Sequence, residues 1–294
     1  MTALALESGT RIGRYRVIGP LGRGGMGGVF EVEADDGTRY ALKAPITDAG
    51  AGSNGAVTKR FAREANALRM LDHPNLVAAV DAFAEAGLLF LVMEKVSGPT
   101  LAERLRAGPL APRQALVFAR QMLDGVGHAH AQGLVHRDLK PENAILVDMG
   151  GWERVKIIDF GLVKLVGDVA AAFGQAALTS TGLVFGTPAY IAPEQALGRP
   201  VDMRADVYAM GVILFHMLTG TLPFDAPDPA AVMRMHVKQP APRLDERIAA
   251  PWITPELSVL VEGALVKEPE NRFPRADVMI AALDDAFASL DRVL

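Results

Sequence analysis

The chain has 294 residues, half of them hydrophobic, with a net charge of −4 and no cysteine. This composition can bury a core in one large domain or in two lobes, and it excludes disulfides and thiolate metal sites. A weakly acidic chain has no broad basic field, so we expect no nucleic acid partner. The lack of cysteine fits a reducing compartment, and we expect a cytoplasmic location.

The amino terminus and the apolar runs give no sign of membrane insertion. Residues 1–13 are interpreted as a leader without the basic start of a secretory signal. The longest apolar runs, Leu88–Met93 and Met210–Leu218, are much shorter than the roughly 20 residues of a membrane-spanning helix. We therefore expect no span in this chain, although it could still be the cytoplasmic domain of a larger membrane receptor.

Short β-branched runs between turn signals predict an antiparallel sheet in the first third of the chain. The predicted strands cover residues 15–18, 28–32, 40–43 and 88–93. An apolar stripe at spacings of three and four predicts a helix over residues 59–72. Residues 44–58 are small, polar and glycine-rich, which indicates an insertion between strand and helix.

The pattern becomes helical after residues 94–98. Apolar periodicity predicts one helix over residues 112–132 and a second, almost wholly apolar helix over residues 205–219. We therefore predict an α+β fold with a sheet-rich part at residues 14–93, a connection at 94–98 and a mainly helical part at 99–294. Residues 148–154 form a second small insertion to which the sequence assigns no purpose.

The run HRDLKPEN at residues 136–143, followed by DFG at 159–161, indicates the chemistry. A hydroxyl attacks phosphorus only if its proton has an acceptor and if cations neutralise the phosphate oxygens. Asp138 can supply the acceptor, and Asn143 and Asp159 can supply oxygen ligands for a metal. This motif pair is typical of phosphoryl transfer.

A glycine-rich hexad, with Gly22, Gly24 and Gly27, lies between two predicted strands. Its glycines would let backbone N–H groups approach phosphate oxygens, but the same pattern also fits a plain turn. The nucleotide interpretation is favoured by Lys43 on a later strand and Glu64 on the following helix. A lysine that reaches phosphates needs an anion behind it to hold its position.

Together these motifs resemble a serine/threonine protein kinase of the eukaryotic-like type found in bacteria. The resemblance covers residues 15–290 and includes the motifs at 186–188 and 192–194 as well as Asp206 and Arg272. It implies the bilobal protein kinase fold, with an N-lobe at 14–93, a hinge at 94–98, a C-lobe at 99–294 and an activation segment at 159–194.

The resemblance also implies a role for each matching residue. Asp138 would accept the substrate proton, and Lys140 would neutralise the transferring phosphate. Lys43 and Glu64 would act with them on ATP. Asn143 and Asp159 would hold Mg²⁺, with Mn²⁺ as the alternative metal. The remaining ATP-binding residues implied are Ile18, Gly22, Gly24, Gly27, Val29, Ala41, Met93, Glu94, Val96 and Ile145.

Further implied roles concern the substrate and the support of the site. Thr187 and Glu142 would face the protein substrate, and Lys140 with Thr187 favours serine or threonine as the acceptor. Phosphorylation of Thr179 and Thr181 would activate the enzyme, with kinase dimers allowing the reaction in trans. The structural residues implied are His136, Phe160 and Leu68 in a spine anchored by Asp206, and Glu194 paired with Arg272.

Two alternatives to an active serine/threonine kinase stay open. A nucleotide-binding pseudokinase or scaffold usually lacks a catalytic lysine, base or metal ligand, and none is missing here. A small-molecule phosphotransferase on a related fold generally lacks the peptide platform formed by the motifs at 186–188 and 192–194.

Overall fold

The computed structural model of the chain describes residues 6–24, 27–45, 68–86, 88–159 and 188–293. These residues form two compact units, one ending at Ser97 and the other beginning at Gly98. Within the described ranges, no helix is both long and apolar enough to cross a membrane. The exact limits of the leader, lobes and hinge remain predictions.

The first unit is built on an antiparallel sheet, which in the described ranges has six strands in the order β1-β2-β3-β4-β6-β5. All four predicted strands are present, each with wider bounds than expected, and two further strands, β1 and β5, were not predicted. The strands are β1 Arg11–Ile12, β2 Tyr15–Gly24, β3 Gly27–Glu33, β4 Arg39–Pro45, β5 Ala79–Glu85 and β6 Leu88–Glu94.

One face of this sheet carries the core of the first unit. Side chains alternate between the faces of a strand, so Phe30 and Val32 on β3 lie on the same side as their cross-strand partners on β4 and β6. Tyr15 is fully buried, and its ring stacks on Phe83 with centroids 6.0 Å apart. The other buried members are Ile12, Val17, Leu42, Ala44, Phe90 and Val92.

The second unit is mainly helical and carries a two-stranded hairpin. The predicted helices at 112–132 and 205–219 are present with bounds shifted by one residue. The hairpin strands are β7 Ala144–Asp148 and β8 Glu153–Ile157. The helices of the described ranges are α1 Leu101–Leu105, α2 Pro112–Ala131, α3 Pro193–Ala196, α4 Arg204–Thr219, α5 Pro229–Lys238, α6 Pro255–Ala264 and α7 Ala276–Leu290.

Helix α4 lies at the centre of the second unit, and nearly all of its residues are buried. A helix that is apolar on all sides must be surrounded by other elements. Gly211 allows α6 to approach closely, since a Cβ at this position would lie 2.7 Å from Cβ of Ala264. The first turn of α4 contains Asp206, a carboxylate that this packing buries.

The helix predicted over residues 59–72 lies mostly outside the described residues. Its described end is helical at residues 68–69 and continues into a turn at Met70, so the last helical residue lies three residues before the predicted end. Leu68 is buried there, and its carbonyl accepts a hydrogen bond from the N–H of Leu71 at 3.1 Å.

Candidate active site

The loop at residues 136–143 connects α2 to β7, and the carboxylate of Asp206 accepts hydrogen bonds from its backbone. One carboxylate oxygen of Asp206 accepts from the N–H of His136 and the other from the N–H of Arg137, both at 2.8 Å. Arg137 has a φ of +64°, a left-handed conformation that costs a non-glycine residue on the order of 1–3 kcal/mol. The buried charge-assisted hydrogen bonds offset this strain and fix the loop just before Asp138.

Two residues proposed for catalysis and one proposed for metal binding meet within this loop. The Nζ atom of Lys140 donates to Oδ2 of Asp138 at 2.9 Å. Nδ2 of Asn143 donates to the carbonyl of Asp138 at 2.8 Å, and a Pro141–Asn143 turn of 3-10 helix brings the amide back toward it. The Asp138 side chain is 48% exposed, so the carboxylate is held but still accessible to a substrate hydroxyl.

The backbone of Ile158, the residue before Asp159, is hydrogen-bonded to the loop at residues 136–143. Ile158 donates its N–H to the carbonyl of Asn143 at 2.9 Å, and its carbonyl lies 3.1 Å from Nε2 of His136. Asp159 has a φ of +62°, a second non-glycine residue with left-handed backbone at this site. Asp159 therefore directly follows a residue whose backbone is hydrogen-bonded to Asn143.

These two residues fit a divalent metal by chemistry. The Nδ2 atom of Asn143 is engaged by the carbonyl of Asp138, which fixes the side-chain amide and leaves Oδ1 as the ligand atom. An amide oxygen and a carboxylate are the hard oxygen donors that Mg²⁺ prefers, usually with water and substrate phosphates completing the shell.

His136 supports the site and cannot serve as its base. Burial is the largest influence on its pKa and lowers it, although Asp206 acts in the opposite direction. Its Nδ1 accepts from the N–H of Asp138 at 3.3 Å, and its Nε2 faces a carbonyl that can only accept. Both contacts are satisfied by one neutral tautomer, with the proton on Nε2.

His130 belongs to this support, and sequence reasoning missed it. Its Nε2 atom lies 2.7 Å from Oδ2 of Asp206, with both side chains almost fully buried. Burial is the strongest influence on the pKa of Asp206 and raises it, but His130 and the N–H of His136 outweigh it, so the pKa is lowered. No sequence signal pairs residues 76 positions apart, because only the packing of α2 against α4 makes them neighbours.

In the first unit, the residues proposed for nucleotide binding share one face of the sheet. Val29 pairs with Lys43 across β3 and β4, and Ala41 pairs with Met93 across β4 and β6. Residues directly opposite in antiparallel strands lie on the same face. This face is the one opposite the buried Phe30, Val32 and Leu42 core.

The other residues proposed for nucleotide binding lie elsewhere in the first unit or in the second unit. Ile18 is the extra residue of a β-bulge in β2, and the β2–β3 pairing includes Gly22 and ends at Gly24 opposite Gly27. Glu94 donates its N–H to the carbonyl of Ala78 at 3.0 Å, and Val96 is half-buried. Ile145 lies on β7 in the second unit, opposite Lys156.

The residues proposed for the substrate side and its support are partly described. Nη1 of Arg272 lies 3.0 Å from Oε1 of Glu194, and Nη2 lies 3.2 Å from Oε2, in a two-pronged ion pair with side chains 0% and 5% exposed. Glu142 is exposed, and its charge contributes to raising the pKa of the buried Tyr190, for which burial is the main cause. The residues outside the described ranges are Glu64, Phe160, Thr179, Thr181 and Thr187.

The sheet unit, the helical unit and the Asp138 cluster are features of the kinase class of domains. The protein kinase domain family matches residues 15–282, and the chain belongs to this family. The predicted assignment to bacterial serine/threonine kinases of the eukaryotic-like type and the predicted fold are both confirmed.

Two curated relatives are both named serine/threonine-protein kinases. The chain is similar to the serine/threonine-protein kinase pkn2 of Myxococcus xanthus, with 38% identity over 95% of this chain and 34% of that protein. It is 34% identical to PrkC of Bacillus subtilis over 95% of this chain and 41% of that protein. The PknI kinase domain of Mycobacterium tuberculosis superposes with a TM-score of 0.73 at 26% identity, covering 96% of this chain and 100% of that one. The chain thus spans less than half the length of these two curated relatives.

Proposed function

We propose that this domain transfers the γ-phosphate of ATP to serine or threonine hydroxyls of protein substrates. The observation that carries the proposal is the loop cluster in which Asp138 is accessible while Lys140 and Asn143 hold it. An accessible carboxylate beside a fixed cation and an oxygen ligand is what an attacking hydroxyl requires. A pseudokinase usually lacks one of these residues, and a small-molecule phosphotransferase generally lacks the motifs at 186–188 and 192–194.

In this mechanism, Asp138 orients the acceptor hydroxyl and takes its proton as the bond from that oxygen to the γ-phosphorus forms, while the bond from the γ-phosphorus to the bridging oxygen breaks and ADP leaves. Lys140 keeps the carboxylate in place and supplies positive charge where the transferring phosphate gathers negative charge. Asn143 and Asp159 would hold the metal, which neutralises phosphate oxygens when bound. We propose Mg²⁺ as this metal, with Mn²⁺ as a substitute.

The nucleotide would lie against the sheet face formed by Val29, Ala41, Lys43 and Met93. Three of these side chains offer apolar surface for adenine, while Lys43 brings charge to the phosphates. Glu64 would hold Lys43, and the backbones of Glu94 and Val96 would contact the adenine edge. The glycines of the β2–β3 hairpin allow backbone N–H groups to approach phosphate oxygens closely.

We also propose that Thr179 and Thr181 are phosphorylated by the enzyme itself, in trans within a transient dimer. A phosphate adds about −1.5 to −2 charges at neutral pH, and Arg137, next to the base, is the cation that would receive it. Thr187 and Glu142 would contact the protein substrate. The proposed location is the cytoplasm, either alone or as the cytoplasmic part of a longer receptor.

The test uses radiolabelled ATP with the wild type, Asp138→Asn, Asp159→Asn and Lys43→Met, read on a generic basic protein and on the kinase itself. Asp148→Asn is the matched control, since Asp148 is an exposed β7 residue that caps the backbone N–H of Gly150. We expect label on serine and threonine with the wild type and the control, and a loss of at least about 100-fold in each other variant. ATP binding without label would indicate a pseudokinase, and label on small molecules alone would indicate a small-molecule phosphotransferase.

A further inference from the structure

The side-chain amide of Gln195 joins two backbone segments of the second unit. Its Oε1 accepts from the N–H of Ala192 at 3.2 Å, and its Nε2 donates to the carbonyl of Arg137 at 2.9 Å. Ala192 is the residue before helix α3, while Arg137 directly precedes Asp138. Gln195 therefore connects the segment around α3 to the loop that carries the proposed base.

The carbonyl that Gln195 contacts belongs to the peptide group between Arg137 and Asp138. The N–H of the same peptide group donates to Nδ1 of His136 at 3.3 Å. Both ends of this peptide group are thus held by side chains, one from the loop itself and one from α3. Rotation of the group would turn the Cα–Cβ bond of Asp138 and move its carboxylate away from Lys140.

The need for such a restraint follows from the backbone of Arg137. Its φ of +64° is unfavourable for a residue with a Cβ, so the loop would relax if its hydrogen bonds were lost. Asp206 holds the N–H groups of His136 and Arg137, but a carboxylate has no proton with which to hold the carbonyl that follows them. The side-chain amide of Gln195 supplies a donor to that carbonyl.

We infer that Gln195 is a positioning residue that couples the α3 segment to the orientation of Asp138. The inference rests on the proposed kinase function. Residues 189–196 follow the motif at 186–188, in which Thr187 is implied to face the substrate, so a shift of this segment would be transmitted to Asp138 through the side-chain amide of Gln195. The base would then be in its working orientation only when the segment is in place.

The test compares Gln195→Met with Gln121→Met in the full chain. Gln121 is a matched control because its amide clamps the backbone of β8 in the same way, donating to the carbonyl of Glu153 at 3.1 Å and accepting from the N–H of Val155 at 2.8 Å. For Gln195→Met we expect kcat to fall about tenfold, with KM for ATP changed less than about twofold. For Gln121→Met we expect kcat within about twofold of the wild type.

A second readout does not depend on activity. Amide hydrogen exchange at residues 136–138 should be faster in Gln195→Met and unchanged in Gln121→Met. If Gln195→Met folds poorly, Gln195→Glu replaces it, since the carboxylate keeps the acceptor for Ala192 and loses only the donor to Arg137. Wild-type kcat and wild-type exchange in a folded Gln195 variant would overturn the inference. An inactive wild type would instead overturn the proposed function, and the exchange data would still test the positioning role.

Discussion

His130 and Asp206 form a buried hydrogen bond of 2.7 Å at the centre of the helical unit. Because the same carboxylate holds the backbone N–H groups of His136 and Arg137, His130 supports the proposed active site without touching it. A buried carboxylate that loses a partner keeps its desolvation cost, so the consequence should be measurable in both stability and activity.

Replacing His130 by leucine should lower the free energy of unfolding by about 1–3 kcal/mol and reduce kcat, because Asp206 would lose one of its donors. Chemical denaturation and steady-state kinetics measure the two effects. His216→Leu is the control, since Nδ1 of His216 meets the neutral hydroxyl of Tyr190 at 2.9 Å. A loss in His130→Leu no larger than in the control would contradict the assignment.

The ion pair between Glu194 and Arg272 should be far more sensitive to mutation than exposed pairs. Arg272 also donates to the partly buried carbonyls of Val266 and Lys267, so Arg272→Met leaves these acceptors and the buried Glu194 carboxylate without that donor. We expect a loss of about 3–5 kcal/mol in unfolding free energy. Arg275→Met, which breaks an exposed pair with Asp277, should cost less than about 1 kcal/mol. Similar losses of unfolding free energy in the two variants would show that the buried pair stabilises the fold no more than the exposed pair does.

His236 should make the fold sensitive to acid. Burial, with a smaller effect from the charge of Lys267, lowers its pKa from 6.5 to about 3, and its Nδ1 lies 2.9 Å from the hydroxyl of Tyr208. Between pH 6.5 and 3 the unfolded chain therefore binds a proton that the folded chain does not, so stability falls as pH falls through this range. His236→Asn removes the titrating group while keeping an acceptor for Tyr208.

The measurement is the free energy of unfolding of both proteins at about pH 7.5 and about pH 5, on either side of the ordinary histidine pKa. We expect the wild type to lose more stability than His236→Asn between these two values, so the difference between the two proteins should change with pH. If the difference in unfolding free energy between the two proteins is the same at both pH values, a buried neutral His236 is not the cause of the acid sensitivity.

Alanine substitutions at Gly211 and Gly127 measure how closely α4 packs on α6 and α2 packs on α7. A Cβ at Gly211 would lie 2.7 Å from Cβ of Ala264, whereas one at Gly127 would lie 3.3 Å from Cβ of Ala276. Both changes to alanine raise helix propensity by about 1 kcal/mol. Gly211→Ala should nevertheless be destabilising by about 1–3 kcal/mol because of overpacking, while Gly127→Ala should be close to neutral. Thermal denaturation compares them, and a stabilised Gly211→Ala would show that α4 and α6 can separate at little cost.

The sheet shows where sequence reasoning works and where it fails. The strands at β2, β3, β4 and β6 contain β-branched or aromatic residues between turn signals, and all four were predicted. Strand β5, with the sequence AVDAFAE, is rich in alanine and acidic residues that are rare in strands. It forms because β6 offers a paired edge and Phe83 stacks on Phe90, and neither influence is local in the sequence.

The sequence by itself determined the class of protein and the residues of the proposed chemistry. These residues lie in short contiguous motifs, in which the types and spacing of side chains already specify a base, a cation and two oxygen ligands. Only the tertiary structure decided what holds them. His130 lies 76 residues from Asp206, and Gln195 lies 58 residues from Arg137, so packing within the helical unit brings each pair together. Hydrogen bonds act over about 3 Å of space, whatever the separation along the chain, so these supports could be found only in the folded molecule.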